Sequence, residues 1–363
     1  MRVVLTGGGT GGHIYPALAF AEYLRKVEPE TEFLYIGTKN GLESKIVPAA
    51  GFVFKTVDVQ GIRRSLSPDN IRTAWKFLHS TLDARKIIAD FKPDVVFGTG
   101  GYVSGPVVYA ATRLKIPTII HEQNAVPGIT NKFLAKRVTK VAVAFHHAEQ
   151  NFPADKVVFV GNPRAQEVAD IKPSDILKTY DLNPEKPTVV IFGGSRGALT
   201  INRAVVAALP ELEHQDYQTL YASGEIYYDD FKKEFIKYDA NPNIAIRPYI
   251  ANMSEVLSSA SLIVARSGAT TIAEVTALGL PAVFIPSPNV TNDQQTKNAQ
   301  ELVEAGAAVV IKDADLTADT LLQNISEILS NNVKYKEMKA ASLTAGVPDA
   351  SDRLYKVIKE ITK

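Results

Sequence analysis

The sequence predicts an α/β protein built from two Rossmann-like domains. Three observations indicate this: a length of 363 residues, short apolar runs that alternate with helical stretches, and a strand–glycine loop–helix unit that occurs twice. Residues 3–6 lead into a glycine loop at 7–12, and residues 188–192 lead into another at 193–198. Because such a unit begins a Rossmann-like domain, its return half a chain later indicates a second one.

The remaining strands follow from the apolar runs between helical stretches. The first domain is predicted to have strands at 3–6, 33–37, 95–97, 118–120 and 141–144, with 157–160 as an edge or final strand. The second is predicted to have them at 188–192, 218–221, 244–248, 262–265, 282–285 and 308–311. Near-continuous apolar runs of this kind are typical of parallel strands buried on both faces. Residues 161–164 have the composition of a linker, so we predict domains at 1–161 and 165–341.

The composition excludes several kinds of protein. No cysteine is present, which excludes disulfides, thiolate nucleophiles and cysteine metal sites. No apolar run approaches the roughly 18 residues of a membrane span, and we expect no signal peptide before the first strand. Residues 1–150 carry 19 basic and 12 acidic residues, whereas the remainder carries 21 and 27. This asymmetry predicts an anionic partner for the first domain: a nucleic acid, a phospholipid surface or a phosphorylated substrate.

The first glycine loop predicts a ligand that the backbone approaches closely. Glycines lack the Cβ atoms that would shield backbone N–H groups, and the helix predicted near residues 14–21 directs its positive end to the same place. An anion or a sugar suits such a site, and His13 lies at its mouth. Gly7, Gly9 and Gly12 also fit the dinucleotide pattern G-x-G-x-x-G. The second strand, however, ends without the acidic residue that would bind the ribose of NAD.

Further polar groups follow neighbouring strands of the first domain. A third glycine loop occupies residues 98–105, and the next strand ends in His121, Glu122, Gln123 and Asn124. Ligands bind at the carboxyl edge of open α/β sheets. We therefore expect these four side chains on the same rim as His13, although any one of them alone would usually be structural.

The second domain offers groups suited to a nucleotide sugar. Residues 266–274 follow a strand and begin a helix in which Glu274 could bind a ribose diol or simply complement the helix dipole. Residues 292–298 are rich in amides, which both donate to and accept from sugar hydroxyls. The pair Asp313 and Asp315 has a spacing used for divalent metals, but we interpret it as a loop and helix start rather than a metal site.

The helix predicted to begin at Ser67 and Pro68 carries a broad apolar face. Its apolar residues are Ile71, Ala74, Trp75, Leu78 and Leu82, with Phe77 beside them. Basic residues, among them Arg72 and Lys76, surround that face. The residues alone leave two interpretations open: a helix packed on the core, or a surface that docks on anionic lipid.

Six ordered motifs together resemble the MurG family, GT-B glycosyltransferases that add N-acetylglucosamine to the lipid-linked muramyl-pentapeptide precursor of bacterial peptidoglycan. They are GGTGGH ending at His13, GTGGYVSGP at 98–106, HEQN with PGITNK at 121–132, GGSRGA at 193–198, RSGATTIAE at 266–274 and QQTKNA at 294–299. The resemblance covers nearly the whole chain. It implies two Rossmann-like domains that face across an interdomain cleft, and a C-terminal helix at about 342–363 that packs back on the first domain.

The resemblance also implies which residues bind the donor, UDP-N-acetylglucosamine. In the first domain these would be Thr10, Gly11, Gly12 and Asn124. Ser195 and Arg164 would bind the diphosphate, Ile250 the uracil and Glu274 the ribose. Ala269, Thr270 and Thr271 would pack and hydrogen-bond nearby, and Gln294 and Gln295 would bind the sugar hydroxyls. The chain carries Arg196 where the family leads us to expect glutamine.

The reaction implied is an inverting transfer in peptidoglycan synthesis, to the 4-hydroxyl of undecaprenyl-diphospho-N-acetylmuramyl-pentapeptide (lipid I to lipid II). We predict that His13 is the base, with Glu122 in reserve, because a helix N-terminus would keep the imidazole neutral. We expect no cofactor, metal or nucleic-acid partner. A lipid-anchored acceptor favours docking of Arg72, Trp75, Lys76, Phe77 and Leu78 on an anionic membrane, at the cytoplasmic face of the cell membrane.

Three other functions compete with this one. A non-hydrolysing UDP-N-acetylglucosamine 2-epimerase would share the fold and the donor but would use no lipid acceptor. A dehydrogenase would need NAD, and a non-catalytic sugar-nucleotide sensor would leave the polar rim around His13 unexplained. Neither the epimerase nor the dehydrogenase accounts for all six motifs.

Overall fold

The structure, a computed structural model, describes residues 1–61, 69–194 and 196–363, with the backbone alone at 69–74. The described chain forms two compact units. The first comprises Met1–Glu167 and Asp349–Lys363, and the second comprises Val168–Pro348. The predicted linker, residues 161–164, overlaps a helix, Pro163–Ala169, and the first unit extends a few residues beyond the predicted boundary.

Each unit contains one fully parallel sheet. The strands of the first are β1 Arg2–Thr6, β2 Glu32–Gly37, β3 Phe54–Thr56, β4 Val95–Gly98, β5 Thr118–Glu122, β6 Lys140–Val143 and β7 Val157–Phe159, in the order β3-β2-β1-β4-β5-β6-β7. Those of the second are β8 Thr188–Phe192, β9 Gln218–Ala222, β10 Ile244–Arg247, β11 Leu262–Ala265, β12 Ala282–Phe284 and β13 Ala308–Val310, in the order β10-β9-β8-β11-β12-β13. Two Rossmann-like sheets, and with them the predicted α/β fold class, are thus confirmed.

Helices connect these strands. In the first unit they are α1 Gly11–Val27, α2 Glu43–Ala49, α3 Asp69–Phe91, α4 Ser104–Arg113, α5 Ile129–Ala135, α6 His146–Glu149 and α7 Pro163–Ala169, whose last residues enter the second unit. In the second they are α8 Leu199–Leu212, α9 Glu225–Tyr228, α10 Lys232–Phe235, α11 Met253–Ser258, α12 Ala269–Leu278, α13 Gln294–Glu304, α14 Ala318–Leu329 and α15 Asn332–Ala345. The last helix, α16 Ala350–Ile361, belongs to the first unit.

The C-terminal segment is two helices rather than one. Residues up to Pro348 belong to the second unit, and α16 alone packs on the first. Leu354 and Ile358 are fully buried in the core between α1 and the sheet, and Tyr355 donates a 3.1 Å hydrogen bond to Glu28. The apolar spacing i, i+4 places both core residues on one face of α16.

Strand β3 is the one strand of the described chain that the apolar runs did not predict. It has three residues, two of them exposed, and lies at the edge of the sheet beside β2. A strand this short, with its side chains largely exposed, leaves no apolar run in the sequence.

The order of the sheet brings two glycine loops together. Strand β1 lies between β2 and β4, so the chain reverses its direction of winding there, and the loops after β1 and β4 are neighbours at the carboxyl edge. A Cβ on Gly101 would lie 2.2 Å from the carbonyl oxygen of Gly8, and one on Gly7 would lie 2.0 Å from Thr99 Oγ1. The loops therefore pack backbone to backbone.

This packing corrects part of the interpretation of the first glycine loop. We expected its closest approach to be to a ligand, but the close neighbours of Gly7 and Gly8 are protein groups. Gly12 differs, because it is exposed in the first turn of α1 and the nearest atom to a Cβ there would be 3.7 Å away. Open space for a ligand thus lies at the helix start rather than along the whole loop.

We predict that Gly101→Ala destabilises the protein by roughly 2–4 kcal/mol, because a Cβ would clash with the Gly8 carbonyl and Gly101 has φ +79°. Gly51→Ala is the matched control: its φ is +75°, but no atom lies within 4 Å of the added Cβ. Gly51→Ala should lower the free energy of unfolding by about 1–2 kcal/mol, because it adds only the strain of a left-handed backbone. Urea unfolding of both variants measures the difference, and equal losses would contradict the loop contact.

Candidate active site

His13 lies in the first turn of α1, partly exposed, between the two packed loops. Its Nδ1 is 3.1 Å from the carbonyl oxygen of Gly8 and 3.2 Å from Thr10 Oγ1. The other side of the ring faces Gly100, where a Cβ would lie 3.2 Å from Nε2. A backbone carbonyl can only accept, so the contact with Gly8 places the proton of the neutral ring on Nδ1. Nε2 is then the nitrogen that can take a proton.

The surroundings of His13 favour its neutral form. Burial lowers the pKa of His13 below its ordinary range, while the carboxylates of Glu122 and Glu43 and the Gly8 carbonyl act in the opposite direction. The imidazole is therefore mainly unprotonated at neutral pH, as a general base requires.

Glu122 is buried and fully engaged in hydrogen bonds. One carboxylate oxygen accepts from the backbone N–H (3.1 Å) and side-chain amide (3.3 Å) of Asn124. The other accepts from the Gly128 N–H at 3.0 Å and from Asn131 Nδ2 at 2.9 Å. Four donors occupy the carboxylate, so the geometry suits Glu122 to holding the loop between β5 and α5 rather than to removing a proton.

His121 does not lie on the rim where the sequence suggested it. The side chain is completely buried: Nε2 is 2.8 Å from the Gly161 carbonyl and Nδ1 is 3.0 Å from Gln123 Nε2. Burial lowers the pKa of His121 to about 4, so the ring is neutral and acts as a structural link. Gln123 is buried as well, which leaves Asn124 as the partly exposed member of the set.

Two site residues were missed at the sequence level. Asn131, on α5, donates to the Glu122 carboxylate and to the His121 carbonyl, and its Nδ2 would lie 3.5 Å from a Cβ on Gly100. Glu43, the first residue of α2, is fully buried and accepts from the Gly9 N–H. Asn131 lies within a motif that we quoted, but nothing in the sequence around Glu43 distinguishes it from an ordinary acid at a helix start.

In the second unit, the glycine loop after β8 precedes α8. A Cβ on Gly197 would lie 2.2 Å from the Ser223 carbonyl, and Asn202 of α8 donates to that carbonyl at 2.9 Å. Tyr221 donates to Asn202 at 2.7 Å. The loop is thus held against the end of β9. Ser195, the predicted diphosphate ligand, lies outside the described residues.

The start of α12 brings the predicted ribose-binding residues together. Ala269, Thr270 and Thr271 form its first turn, whose backbone N–H groups point toward the N-terminal end of the helix. Glu274 is buried in the next turn and has a partner of its own. The Thr270 hydroxyl is buried without a hydrogen-bond partner among the described residues.

The predicted sugar-binding amides begin α13. Gln295 accepts from the Ser287 N–H at 2.8 Å, which leaves its NH₂ group as the end that can donate to a ligand. Gln294, beside it, also has a partner. The two residues before them, Asn292 and Asp293, have φ of +55° and +52°. Consecutive non-glycine residues in the left-handed region store strain, which clusters at functional sites.

Two predicted ligands are placed differently from expectation. Ile250 is buried (1% exposed), whereas the neighbouring Tyr249 is 54% exposed. Arg164, in α7, forms a 2.6 Å ion pair with Glu167, and its guanidinium lies 5.9 Å from the Tyr15 ring centroid.

Asp313 belongs to a polar network. It forms a 2.5 Å ion pair with Arg266, which also donates to the carbonyls of Ile285 and Pro286, and it accepts from the Thr200 hydroxyl at 3.0 Å. Thr200 lies in the first turn of α8. The network therefore joins the ends of β11, β12 and β13 to the helix that follows the glycine loop. Within the described residues, no group of three His, Asp or Glu side chains is arranged to hold a metal.

The face of α3 combines exposed and packed residues. Trp75, Leu78 and Leu82 are 60%, 61% and 54% exposed, so they are not core residues. Phe77, by contrast, packs against the rings of Tyr109 (6.1 Å) and Phe133 (5.9 Å). Phe77 is therefore partly buried against α4 and α5, unlike Trp75 and Leu78 in the same turn.

The basic residues around this face differ in their partners. Lys76 forms a 3.0 Å ion pair with Asp58, and the Arg72 side chain lies outside the described part of the chain. Arg85 and Lys86 are exposed. Of the helices that the structure describes, none has the length and apolarity to cross a bilayer.

Comparisons with known proteins identify the family of this chain. The model of the glycosyltransferase family 28 N-terminal domain matches residues 3–143, and that of the C-terminal domain matches residues 188–354. Over the full length of both chains, the protein is 67% identical to one from Lactococcus lactis subsp. lactis named UDP-N-acetylglucosamine--N-acetylmuramyl-(pentapeptide) pyrophosphoryl-undecaprenol N-acetylglucosamine transferase.

Solved structures agree with this assignment. The crystal structure of Acinetobacter baumannii MurG has a TM-score of 0.79 and 32% identity, and the match covers 99% of each chain. A UDP-N-acetylglucosamine 2-epimerase has a TM-score of 0.69 with 99% of this chain and 95% of that one covered, but at 16% identity this similarity shows the fold alone. The resemblance carried by the six sequence motifs is confirmed, and the chain belongs to the MurG family within glycosyltransferase family 28.

Proposed function

We propose that this chain transfers N-acetylglucosamine from UDP-N-acetylglucosamine to the lipid-linked muramyl-pentapeptide that its relatives are named for. The observation that carries the proposal is His13: a neutral imidazole at the start of α1, with its proton directed to Gly8 and Nε2 available as a base. An epimerase is not favoured, because the relatives that match over the full length are named as transferases.

The proposed reaction is a single displacement. Nε2 of His13 takes the proton of the acceptor 4-hydroxyl as its oxygen attacks the anomeric carbon of the donor. The bond from that carbon to the UDP oxygen breaks on the opposite face, so the α-linked donor gives a β-linked product through an oxocarbenium-like transition state. The electron pair leaves with UDP, whose developing charge is stabilised by helix N-termini.

We propose donor contacts in each unit. Thr10, Gly11, Gly12 and Asn124 supply contacts from the first, and the exposed start of α1 leaves room for them to do so. From the second, Ile250 would meet uracil, with Tyr249 beside it, and Glu274 would hold the ribose, with Ala269, Thr270 and Thr271 nearby. Gln294 and Gln295 would bind the sugar hydroxyls, and Ser195 and Arg164 the diphosphate, the latter after release of its ion pair with Glu167.

We predict that His13→Ala lowers acceptor-dependent UDP release by about 10²–10⁴-fold, because removal of a general base costs that much. UDP release from UDP-N-acetylglucosamine would be measured with and without lipid-linked muramyl-pentapeptide. His214→Ala, which removes an exposed histidine of the second unit, should leave the rate unchanged.

Two outcomes would contradict the proposal. Binding of the donor without any acceptor-dependent release of UDP would favour a non-hydrolysing epimerase or a sensor. An unchanged rate in His13→Ala would remove His13 as the base.

We further propose that the exposed part of α3 docks on anionic lipid, which would place the protein peripherally at the cytoplasmic face of the cell membrane. Trp75, Leu78 and Leu82 share one helical face by their spacing, and Arg85 and Lys86 are exposed on the same helix. A substrate carried on undecaprenol supports this proposal, since it requires the enzyme to work at a membrane surface.

We predict that the double change Trp75→Ser and Leu78→Ser lowers binding to anionic phospholipid vesicles by at least about tenfold, because each side chain loses its apolar burial in the membrane. UDP binding and the unfolding midpoint should not change. Val333→Ser, which alters an equally exposed apolar residue on α15, is the control and should sediment with vesicles as the parent does. Unchanged sedimentation of the double variant would refute the docking face.

A further inference from the structure

A buried carboxylate joins the loops after β1 and β2. Glu43 has no exposed surface, and its Oε1 accepts from the backbone N–H (3.0 Å) and hydroxyl (2.6 Å) of Thr38. Its Oε2 accepts from the Gly9 N–H at 3.1 Å. A Cβ on Gly8 would lie 2.5 Å from the carboxyl carbon. The proposed donor site and the reacting atoms do not use this residue.

The Gly9 N–H and the Gly8 carbonyl belong to the same peptide group. That group donates to Glu43 on one side and accepts from His13 Nδ1 on the other. A carboxylate that accepts from the N–H of a peptide makes its carbonyl oxygen a stronger acceptor, because hydrogen bonds in a chain polarise one another. The Gly8–Gly9 peptide therefore connects a buried negative charge to the imidazole.

Nδ1 of His13 has a second neighbour that does not fix the tautomer. The Thr10 hydroxyl, 3.2 Å away, can either donate to Nδ1 or accept from it. The Gly8 carbonyl can only accept. The balance between the two tautomers thus depends on how strongly Gly8 attracts the proton, and on whether its peptide is held in place.

We propose that Glu43 is a positioning residue that acts through the Gly8–Gly9 peptide to keep the proton of neutral His13 on Nδ1, which leaves the lone pair on Nε2. The inference rests on the proposed role of His13 as the base. The site then contains a hydrogen-bonded series of carboxylate, peptide and imidazole. In the Ser-His-Asp arrangement the carboxylate contacts the histidine directly, whereas here the peptide lies between the two.

Glu43→Gln tests the hydrogen bonds from Glu43 through the Gly8–Gly9 peptide to His13, because an amide has only one accepting oxygen. Thr38 offers two donors and Gly9 one, so the amide oxygen should face Thr38 and the NH₂ group should oppose the Gly9 N–H. Thr38→Val is the matched control: it removes one hydrogen bond to the same carboxylate but leaves the bond to Gly9.

The measured quantity is the tautomer of His13. It is determined by NMR of the full-length protein labelled with ¹⁵N-histidine, at a pH where the ring is neutral. The His13 signal is identified as the one that is lost in His13→Ala. The parent and Thr38→Val should show the proton on Nδ1, and Glu43→Gln should shift it toward Nε2. A proton on Nε2 in the parent would overturn the proposal even if the variant failed to fold. Unchanged ring shifts in folded Glu43→Gln would overturn it as well.

Kinetics provide the second readout. Outer partners of metal-bound histidines contribute about 10–100-fold, and we expect Glu43→Gln to lower kcat by a similar factor because it too orients an imidazole. KM for UDP-N-acetylglucosamine should change by less than about twofold, since Glu43 hydrogen-bonds to Gly9 and Thr38 and to none of the proposed donor ligands. If the tautomer shifts in Glu43→Gln but the parent shows no transfer to the lipid acceptor, the positioning role of Glu43 is supported and the proposed function is contradicted. A fall in donor affinity alone, without a tautomer shift, would overturn the positioning role.

Discussion

The contact between two glycine loops at the carboxyl edge of the first sheet determines the rest of the candidate site. Gly8 and Gly101 meet backbone to backbone at the point where β1 lies between β2 and β4. A Cβ on Gly101 would lie only 2.2 Å from the Gly8 carbonyl oxygen, so a side chain there would force the loops apart. Their closeness fixes the Gly8 carbonyl, which in turn fixes the Nδ1 side of His13. The chemistry we propose therefore depends on backbone packing before it depends on any reactive side chain.

Electrostatics then decide what the positioned imidazole can do. Burial lowers the pKa of His13, while the charges of Glu43 and Glu122 limit that fall. The ring therefore stays neutral and is still able to accept a proton. The two carboxylates have different structural tasks. Glu122 holds the loop before α5 through Asn124, Gly128 and Asn131, and Glu43 holds the loops after β1 and β2.

The fold was predictable because buried parallel strands leave apolar runs in the sequence, and all but one of the strands followed from them. The edge strand β3 did not, since it has only three residues and two of them are exposed. Within the site, the sequence located His13 but could not tell that His121 is buried while Asn124 is partly exposed, because that depends on contacts with Gly161 and Gln123. Glu43 was missed for the same reason: its partners lie on loops that only the folded sheet brings together.

The most direct test of the proposed reaction is the anomeric configuration of its product. The purified chain would be given UDP-N-acetylglucosamine and the lipid-linked muramyl-pentapeptide, and the new glycosidic linkage would be examined by proton NMR. Direct displacement by a hydroxyl activated at His13 predicts a β linkage, seen as a large coupling between H1 and H2 of the transferred sugar. An α-linked product would contradict it, because retention requires a second displacement for which His13 alone cannot account.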